Sequence, residues 1–165
     1  MKFSIRELVD VSIQVEESGY SFYTRCGKKF QQKEFQNLFA HLAEQERRHK
    51  ETFETLFSGM GGAEGQFTEE YLLYLRAIAG ERVFRNANDV DAAVRGLPSI
   101  QDVFRIALTA EKDSILWYSE LLAAYGGESE ASGILRRLID EERSHVVAIL
   151  DLRVKMGLAG GRGSQ

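Results

Sequence analysis

The spacing of helix breakers limits the folds open to this chain of 165 residues more than any other feature. Proline occurs once, at Pro98, and most glycines cluster at 58–65, 126–133 and 157–163. The stretches between them place apolar residues at helical spacing, over about 4–27, 32–57, 99–125 and 129–156. The period of two that is typical of strands is not sustained anywhere. The sequence therefore predicts an all-α protein.

The connections between these helices indicate how they are arranged. A few residues around Gly27–Gln31 separate the first two helices, and Gly126–Gly127 separates the last two, so each pair is expected to form an antiparallel hairpin. Residues 58–98 form a longer connection, with a short predicted helix in TEEYLLYLRAIA followed by a polar stretch. A long crossover of this kind joins the two hairpins of the ferritin-like four-helix bundle. We predict that fold, as a single domain over residues 1–165 with a flexible tail at 158–165.

Composition argues against several classes of partner. The chain has 21 basic and 25 acidic residues, a net charge of -4, and no long run of like charge, so we expect no binding to nucleic acid. No apolar stretch approaches the roughly 18 residues that a membrane helix needs. The single cysteine, Cys26, cannot form an internal disulfide, and the N-terminus MKFSIRELVD carries charges where a signal peptide is apolar. These features predict a soluble, cytoplasmic protein.

Two polar patterns repeat between the halves of the chain. In each half a glutamate precedes a tyrosine by seven residues, and another glutamate precedes a histidine by three. The matching pairs are Glu16–Tyr23 with Glu111–Tyr118, at an offset of 95, and Glu46–His49 with Glu142–His145, at an offset of 96. Apolar positions follow the second shift, since Leu38, Leu42, Phe53 and Leu56 map onto Ile134, Leu138, Ile149 and Leu152. Each half is therefore predicted to be a helical hairpin with one lone glutamate and one Glu-x-x-His motif.

The repeated residues have the chemistry of a metal site. A glutamate and a histidine three residues later lie on one face of a helix, and both motifs fall on the predicted buried stripe. Four carboxylates converging on a core repel one another, and two divalent cations would balance their charge. Oxygen ligands with a minority of imidazole suit iron or manganese, and zinc can occupy the same site. The predicted ligands are Glu16, Glu46, His49, Glu111, Glu142 and His145.

Several neighbouring residues leave other interpretations open. The purely structural alternative for the motif is surface glutamates with satisfied core histidines. Glu17 has polar helical neighbours and is expected to face water, as is the third histidine, His41. Tyr23 and Tyr118 lie two turns, about 10.5 Å, beyond their glutamates, so their phenols either hydrogen-bond carboxylate ligands or simply pack in the core.

The segments VEESGYSFY, LAEQERRH, AEKDSILWY and IDEERSH resemble the rubrerythrin group of ferritin-like diiron proteins, over both hairpins. The resemblance implies a dinuclear iron centre that reduces hydrogen peroxide or dioxygen, or oxidises ferrous iron, in a protein that commonly forms homodimers. It also implies a role for each ligand. Glu16 and His49 would be terminal ligands to one iron, Glu111 and His145 to the other, and Glu46 and Glu142 would bridge.

The chain departs from rubrerythrins proper at two points. Ser114 stands where they carry a further glutamate ligand, and Cys26 alone replaces the paired Cys-x-x-Cys motifs of their rubredoxin domain. The resemblance is therefore to a shorter, rubredoxin-free branch, which would need an external electron-donor protein. The leading hypothesis is an oxidoreductase; the alternatives are a ferroxidase or iron-sequestering protein, and a structural bundle stabilised by its metals.

Overall fold

A computed structural model describes residues 5–58, 68–125 and 129–158. These residues form six helices, namely α1 (Ile5–Lys29), α2 (Lys33–Ser58), α3 (Glu69–Gly80), α4 (Ala87–Gly96), α5 (Ile100–Tyr125) and α6 (Glu130–Lys155). No strand occurs in the ranges that the structure describes, which confirms the predicted all-α class. Of the predicted tail at 158–165, residues 159–165 lie outside the described residues.

Two apolar clusters divide the interior of the bundle. The Phe39 cluster contains Phe22, Phe35, Phe39, Phe104, Ile149 and their neighbours. The Trp117 cluster contains Leu8, Phe53, Trp117, Leu135 and their neighbours. Helices α1 and α6 run from the Trp117 cluster to the Phe39 cluster, whereas α2 and α5 run the opposite way. The pairs α1–α2 and α5–α6, which make the most extensive contacts, are therefore antiparallel.

The connection between the hairpins reaches both ends of this interior. Leu75 of α3 belongs to the Trp117 cluster, and the phenols of Tyr71 and Tyr74 each donate to a carboxylate oxygen of Glu120 on α5 at 3.0 Å. Val90 of α4 belongs instead to the Phe39 cluster. The described part of the connection, residues 68–98, thus places one helix against each apolar cluster.

The second of these helices, α4, lies in the polar stretch, to which the sequence pattern had assigned no element. Asn86 caps its first turn, since the side-chain oxygen accepts from the backbone N–H groups of Asn88 and Asp89 at 2.9 and 3.2 Å. At the other end the Lys29 ammonium donates to the carbonyls of Val94 and Leu97 at 2.6 and 2.9 Å. Capping and the burial of Val90 therefore hold a helix whose sequence is mostly polar.

None of the described helices is both long enough and apolar enough to cross a bilayer.

Candidate metal centre

The six predicted ligands meet in the middle of the bundle, in the layer between the Phe39 cluster and the Trp117 cluster. They come from four helices: Glu16 from α1, Glu46 and His49 from α2, Glu111 from α5, and Glu142 and His145 from α6. None is more than 4% exposed. Four glutamates and two histidines are thus buried together, as the repeated pattern predicted.

The ligand atoms fall into two groups that share two members. One group contains Glu16, Glu46, His49 and Glu142, and the other contains Glu46, Glu111, Glu142 and His145. Within each group, one ligand atom from every residue lies within 4.8 Å of the others. Two ions could be held side by side, because Glu46 and Glu142 can reach both positions.

Each histidine presents Nδ1 to the carboxylates. Nδ1 of His49 lies 2.9 Å from Oε1 of Glu142 and 3.6 Å from Oε2 of Glu16. Nδ1 of His145 lies 3.0 Å from Oε2 of Glu142 and 3.3 Å from Oε2 of Glu111. The two rings lie nearly parallel, with centroids 5.6 Å apart. One nitrogen of each imidazole is thus placed where it could bind a cation together with the carboxylates.

Several of these buried atoms have no hydrogen-bond partner among the residues that the structure describes. They are Oε2 of Glu16, Nδ1 of His49, Oε2 of Glu111, Oε1 of Glu142 and Nε2 of His145. Although Nδ1 of His49 is close to Glu142, the pair lacks the alignment of a hydrogen bond. An unpaired polar atom in a protein interior costs on the order of 1–3 kcal/mol. Four of the five face the interior of the cluster, so a bound cation would satisfy them together.

Without a bound cation, protons compensate part of the charge of the buried carboxylates. Burial alone would lower the pKa of His49, but the carboxylates of Glu142 and Glu16 outweigh burial and raise it to about 11. Likewise, Glu111 and Glu142 outweigh burial at His145 and raise its pKa to about 10. Burial alone would raise the pKa of Glu142, yet the two imidazoles hold the pKa of this carboxyl well below its usual range.

Two of the carboxyls keep their protons more tightly than usual. Burial and the charge of Glu142 raise the pKa of Glu111 to about 8. Burial, together with the charges of Glu142 and Glu16, raises the pKa of Glu46 well above its ordinary value. Both shifts favour the protonated, uncharged form of these two carboxyls over the ionised form.

The two tyrosines hydrogen-bond across the bundle. The phenol of Tyr23 on α1 donates to Oε1 of Glu111 on α5, and the phenol of Tyr118 on α5 donates to Oε1 of Glu16 on α1. Each tyrosine therefore contacts the glutamate of the other hairpin. Burial and the adjacent carboxylate raise the pKa of both phenols well above 10, so both remain donors at neutral pH. Both rings are also buried in the core, so each tyrosine both packs there and hydrogen-bonds a carboxylate.

Gly19 is a site residue that the sequence interpretation missed. It lies one turn after Glu16 on α1, and a Cβ built there would be 2.9 Å from Cδ and 3.1 Å from Oε1 of Glu46. Any side chain at this position would displace that carboxylate. The signal was the glycine within VEESGYSFY, in the interior of a predicted helix where glycine is unfavourable.

Glu141 was also missed, and it distinguishes the two histidines. Nε2 of His49, on the side away from the cluster, lies 2.7 Å from Oε2 of Glu141. Such an outer carboxylate fixes the orientation of an imidazole and increases its basicity as a ligand. Nε2 of His145 has no corresponding partner among the described residues. The position 96 residues before Glu141 is Gln45, so the repeat is broken here.

A cavity of about 20 Å³, with room for about one water molecule, adjoins the cluster. Its lining includes Glu46, Glu111, Gly19, Ser114 and Arg82. The Ser114 hydroxyl donates to the carbonyl of Ala110 at 3.1 Å and adds no charge to the site. A small molecule in this cavity would contact carboxylates from both hairpins.

The residues expected to face solvent do so. Glu17 is exposed and accepts from the Lys50 ammonium at 2.6 Å, and His41 is exposed on α2. The choice of Glu16 over Glu17 therefore agrees with the burial of the two side chains.

Comparisons with known proteins agree with this geometry. A model of the rubrerythrin family matches residues 7–153. A crystal structure from Thermotoga maritima, of a protein described as ferritin-like and diiron-carboxylate, superposes with a TM-score of 0.71, covering 94% of this chain and 97% of that one at 24% identity. Among curated proteins, comparison by sequence finds no match. The structural likeness shows a ferritin-like fold, and the family match extends over all four helices of the bundle. The chain belongs to the rubrerythrin family.

Proposed function

We propose that this chain binds two iron ions and uses them in an oxidoreductase that reacts with hydrogen peroxide or dioxygen. The observation that carries the proposal is the set of buried, unpaired ligand atoms on Glu16, His49, Glu111 and Glu142. Among the described residues, no lysine or arginine forms an ion pair with the four carboxylates of this layer, so protons or bound cations must compensate their charge.

The donor set favours iron or manganese over the other common metals, and we propose iron. Carboxylate oxygens in the majority and imidazole nitrogens in the minority suit iron or manganese, whereas structural zinc sites usually contain thiolates. In the proposed arrangement Glu16 and His49 bind one ion, Glu111 and His145 bind the other, and Glu46 and Glu142 bind both. The two groups of ligand atoms support this assignment.

Iron bound there would supply one-electron redox chemistry toward peroxide or dioxygen. The chain's own residues would position the carboxylates, provide space for a small molecule and exclude water. The phenols of Tyr23 and Tyr118 hold Glu111 and Glu16 in place, and the cavity beside Gly19 and Ser114 gives a small molecule a position next to Glu46. The two apolar clusters keep bulk water from the layer between them.

The electrons would come from a group outside these 165 residues. Cys26 is the one thiol in the sequence, and burial raises its pKa to about 12, so it is unsuited to redox exchange. We propose a separate electron-donor protein as the partner. A homodimer, as is common in the family, is the proposed assembly, and size-exclusion chromatography would test it.

The response of the iron-loaded protein to peroxide tests this function. Protein loaded anaerobically with ferrous iron should consume peroxide as its iron is oxidised, and the near-ultraviolet absorption should change with it. Because peroxide accepts two electrons, one molecule should oxidise both ions of a chain. Glu46→Ala should abolish the response. Glu44→Ala, which removes an exposed carboxylate paired with Arg47, is the matched control and should retain it.

The alternatives predict other results. Iron that is bound but unchanged by stoichiometric peroxide would indicate a structural role for the metals. Iron retained in amounts far above two per chain, in a large assembly, would indicate a storage protein.

A further inference from the structure

Arg82 is a buried cation outside the six proposed ligands. It lies in the turn between α3 and α4 and is 8% exposed, although arginine is almost never buried without an acidic partner. Among the described residues no carboxylate forms an ion pair with it. Its Nε donates to the carbonyl of Ala79 at 3.0 Å, and its Nη1 makes a long contact of 3.5 Å with the carbonyl of Val11.

The position of Arg82 is set by the residue that follows it. The backbone N–H of Val83 donates to Oδ2 of Asp113 on α5 at 2.8 Å, so the turn is held against the helix that carries Glu111. Guanidinium has five N–H donors, and two of them account for the contacts with Ala79 and Val11. The turn thus holds a charged group with spare donors at a defined place.

Arg82 also lines the cavity beside the cluster, together with Glu46 and Glu111. On α1 and α5, the cavity is lined by small residues at matching positions of the repeat. Gly19 and Ser114 are 95 residues apart, at the same offset as Glu16 and Glu111, and both leave space where a longer side chain would fill the cavity. The cavity has room for about one water, so its occupant must be correspondingly small.

We propose that Arg82 forms a binding site for a monoanion about the size of a water molecule, held in this cavity beside Glu46 and Glu111. The inference rests on the proposed function, because the bound cations supply part of the positive charge that would attract the anion. With the cations bound, Arg82 supplies the charge and the hydrogen bonds that favour an anion over water.

Fluoride is the probe for this site, since it is a monoanion about the size of a water molecule. The oxidised, iron-loaded protein is titrated with fluoride at constant ionic strength, and the dissociation constant is read from the near-ultraviolet spectrum. Iron content is measured on the same samples. The variants are Arg82→Met, which removes the charge and the donors, and Arg82→Gln, which keeps a donor for the carbonyl of Ala79 and so preserves the fold. Arg85→Met, an exposed arginine paired with Asp89, is the matched control.

Both Arg82 variants should retain their iron and bind fluoride at least about tenfold more weakly, the loss expected for a charge-assisted hydrogen bond. Arg85→Met should bind fluoride like the wild type. Unchanged fluoride affinity in either folded, iron-loaded Arg82 variant would overturn the inference while leaving the proposed function intact. Absence of iron from the wild type would overturn both.

Discussion

Gly19 on α1 lies directly against the carboxylate of Glu46 on α2, at a distance that leaves no room for a Cβ. In Gly19→Ala the added methyl would be 2.9 Å from Cδ of Glu46, so the carboxylate must move. Because the end of a flexible side chain moves easily, the free energy of unfolding should change by less than about 1 kcal/mol, helped by the better helix propensity of alanine. Iron affinity should fall by about 10-fold to 100-fold, the range typical of a displaced supporting contact.

The control for this prediction is Gly133→Ala on α6, where a Cβ would meet nothing within 4 Å. It should stabilise the protein by about 0.5–1 kcal/mol and leave iron binding unchanged. Competition with a chelator of known affinity measures both variants. Equal affinity in the two alanine variants would show that the Glu46 carboxylate does not bind a metal in this position.

The hydrogen bonds of Tyr23 and Tyr118 to carboxylates of the opposite hairpin predict a loss of stability when either phenol is removed. Tyr23→Phe and Tyr118→Phe each remove a donor from a buried carboxylate, on Glu111 and Glu16, so each should destabilise the protein by about 1–3 kcal/mol. Tyr74→Phe, which removes a surface phenol bonded to Glu120, should cost less than about 0.5 kcal/mol. Urea unfolding with an unchanged m-value measures all three. Equal, small effects would mean that the buried phenols act only through packing.

The contact between Glu141 and His49 predicts an effect on the metal without a change in its ligands. Glu141→Gln should weaken binding of the ion next to His49 by about 10-fold to 100-fold, because the imidazole loses the carboxylate that orients it. Asp140→Asn removes a neighbouring exposed carboxylate, which pairs with Arg143, and should leave affinity unchanged. Calorimetric titration should show two distinguishable binding steps, of which Glu141→Gln alters one. Two equally weakened steps would argue against a selective role.

The titrating groups predict that the metal-free protein loses stability as the pH rises. Folded pKa values of Glu111, about 8, and of Glu46 lie above the unfolded value of 4.5, so their contribution is complete below pH 4.5 and lost as the pH rises through the folded values. His49 and His145 have the same sign. Their contribution to stability is complete below pH 6.5. It is lost as the pH rises toward the folded pKa values, about 11 for His49 and about 10 for His145. The depressed pKa of Glu142 acts only in acid.

The urea midpoint of the metal-free protein should therefore decrease as the pH rises from about 6 to about 9. Bound metal should make this decrease smaller, because cations replace the protons. Metal binding at pH 7 should correspondingly release protons, measurable by calorimetry in buffers of different ionisation enthalpy. A midpoint that rises over this range, with no proton release, would contradict the pKa shifts described above.

The positions of the proposed ligands could be predicted because the sequence repeat sets both their spacing along the helices and their place on the buried faces. Glu46 and His49 share one face of α2, and Glu142 and His145 share one face of α6, so two local patterns were enough to bring four ligands into the core. Gly19 could not be interpreted in the same way, since its importance depends on the distance between α1 and α2. Similarly, the partner of each tyrosine depends on how the hairpins are set against each other.

The connection between the hairpins was the least predictable part. Its residues do not take part in the sequence repeat. The polar sequence of α4 gives no clear helical pattern, and the helix depends on the Asn86 cap and on contacts with Lys29. Arg82 is exposed or buried according to the path of a single turn, which the bond from Val83 to Asp113 determines. No local pattern in the sequence encodes that bond.

The iron content of the chain tests the central claim most directly. Wild-type protein, incubated with excess ferrous iron without oxygen and then desalted, should retain two irons per chain. Glu142→Ala should retain less than one, because Glu142 belongs to both groups of ligand atoms. Glu17→Ala, with its exposed carboxylate, should still retain two. A wild-type chain without iron, or a Glu142→Ala chain that still holds two, would contradict the account.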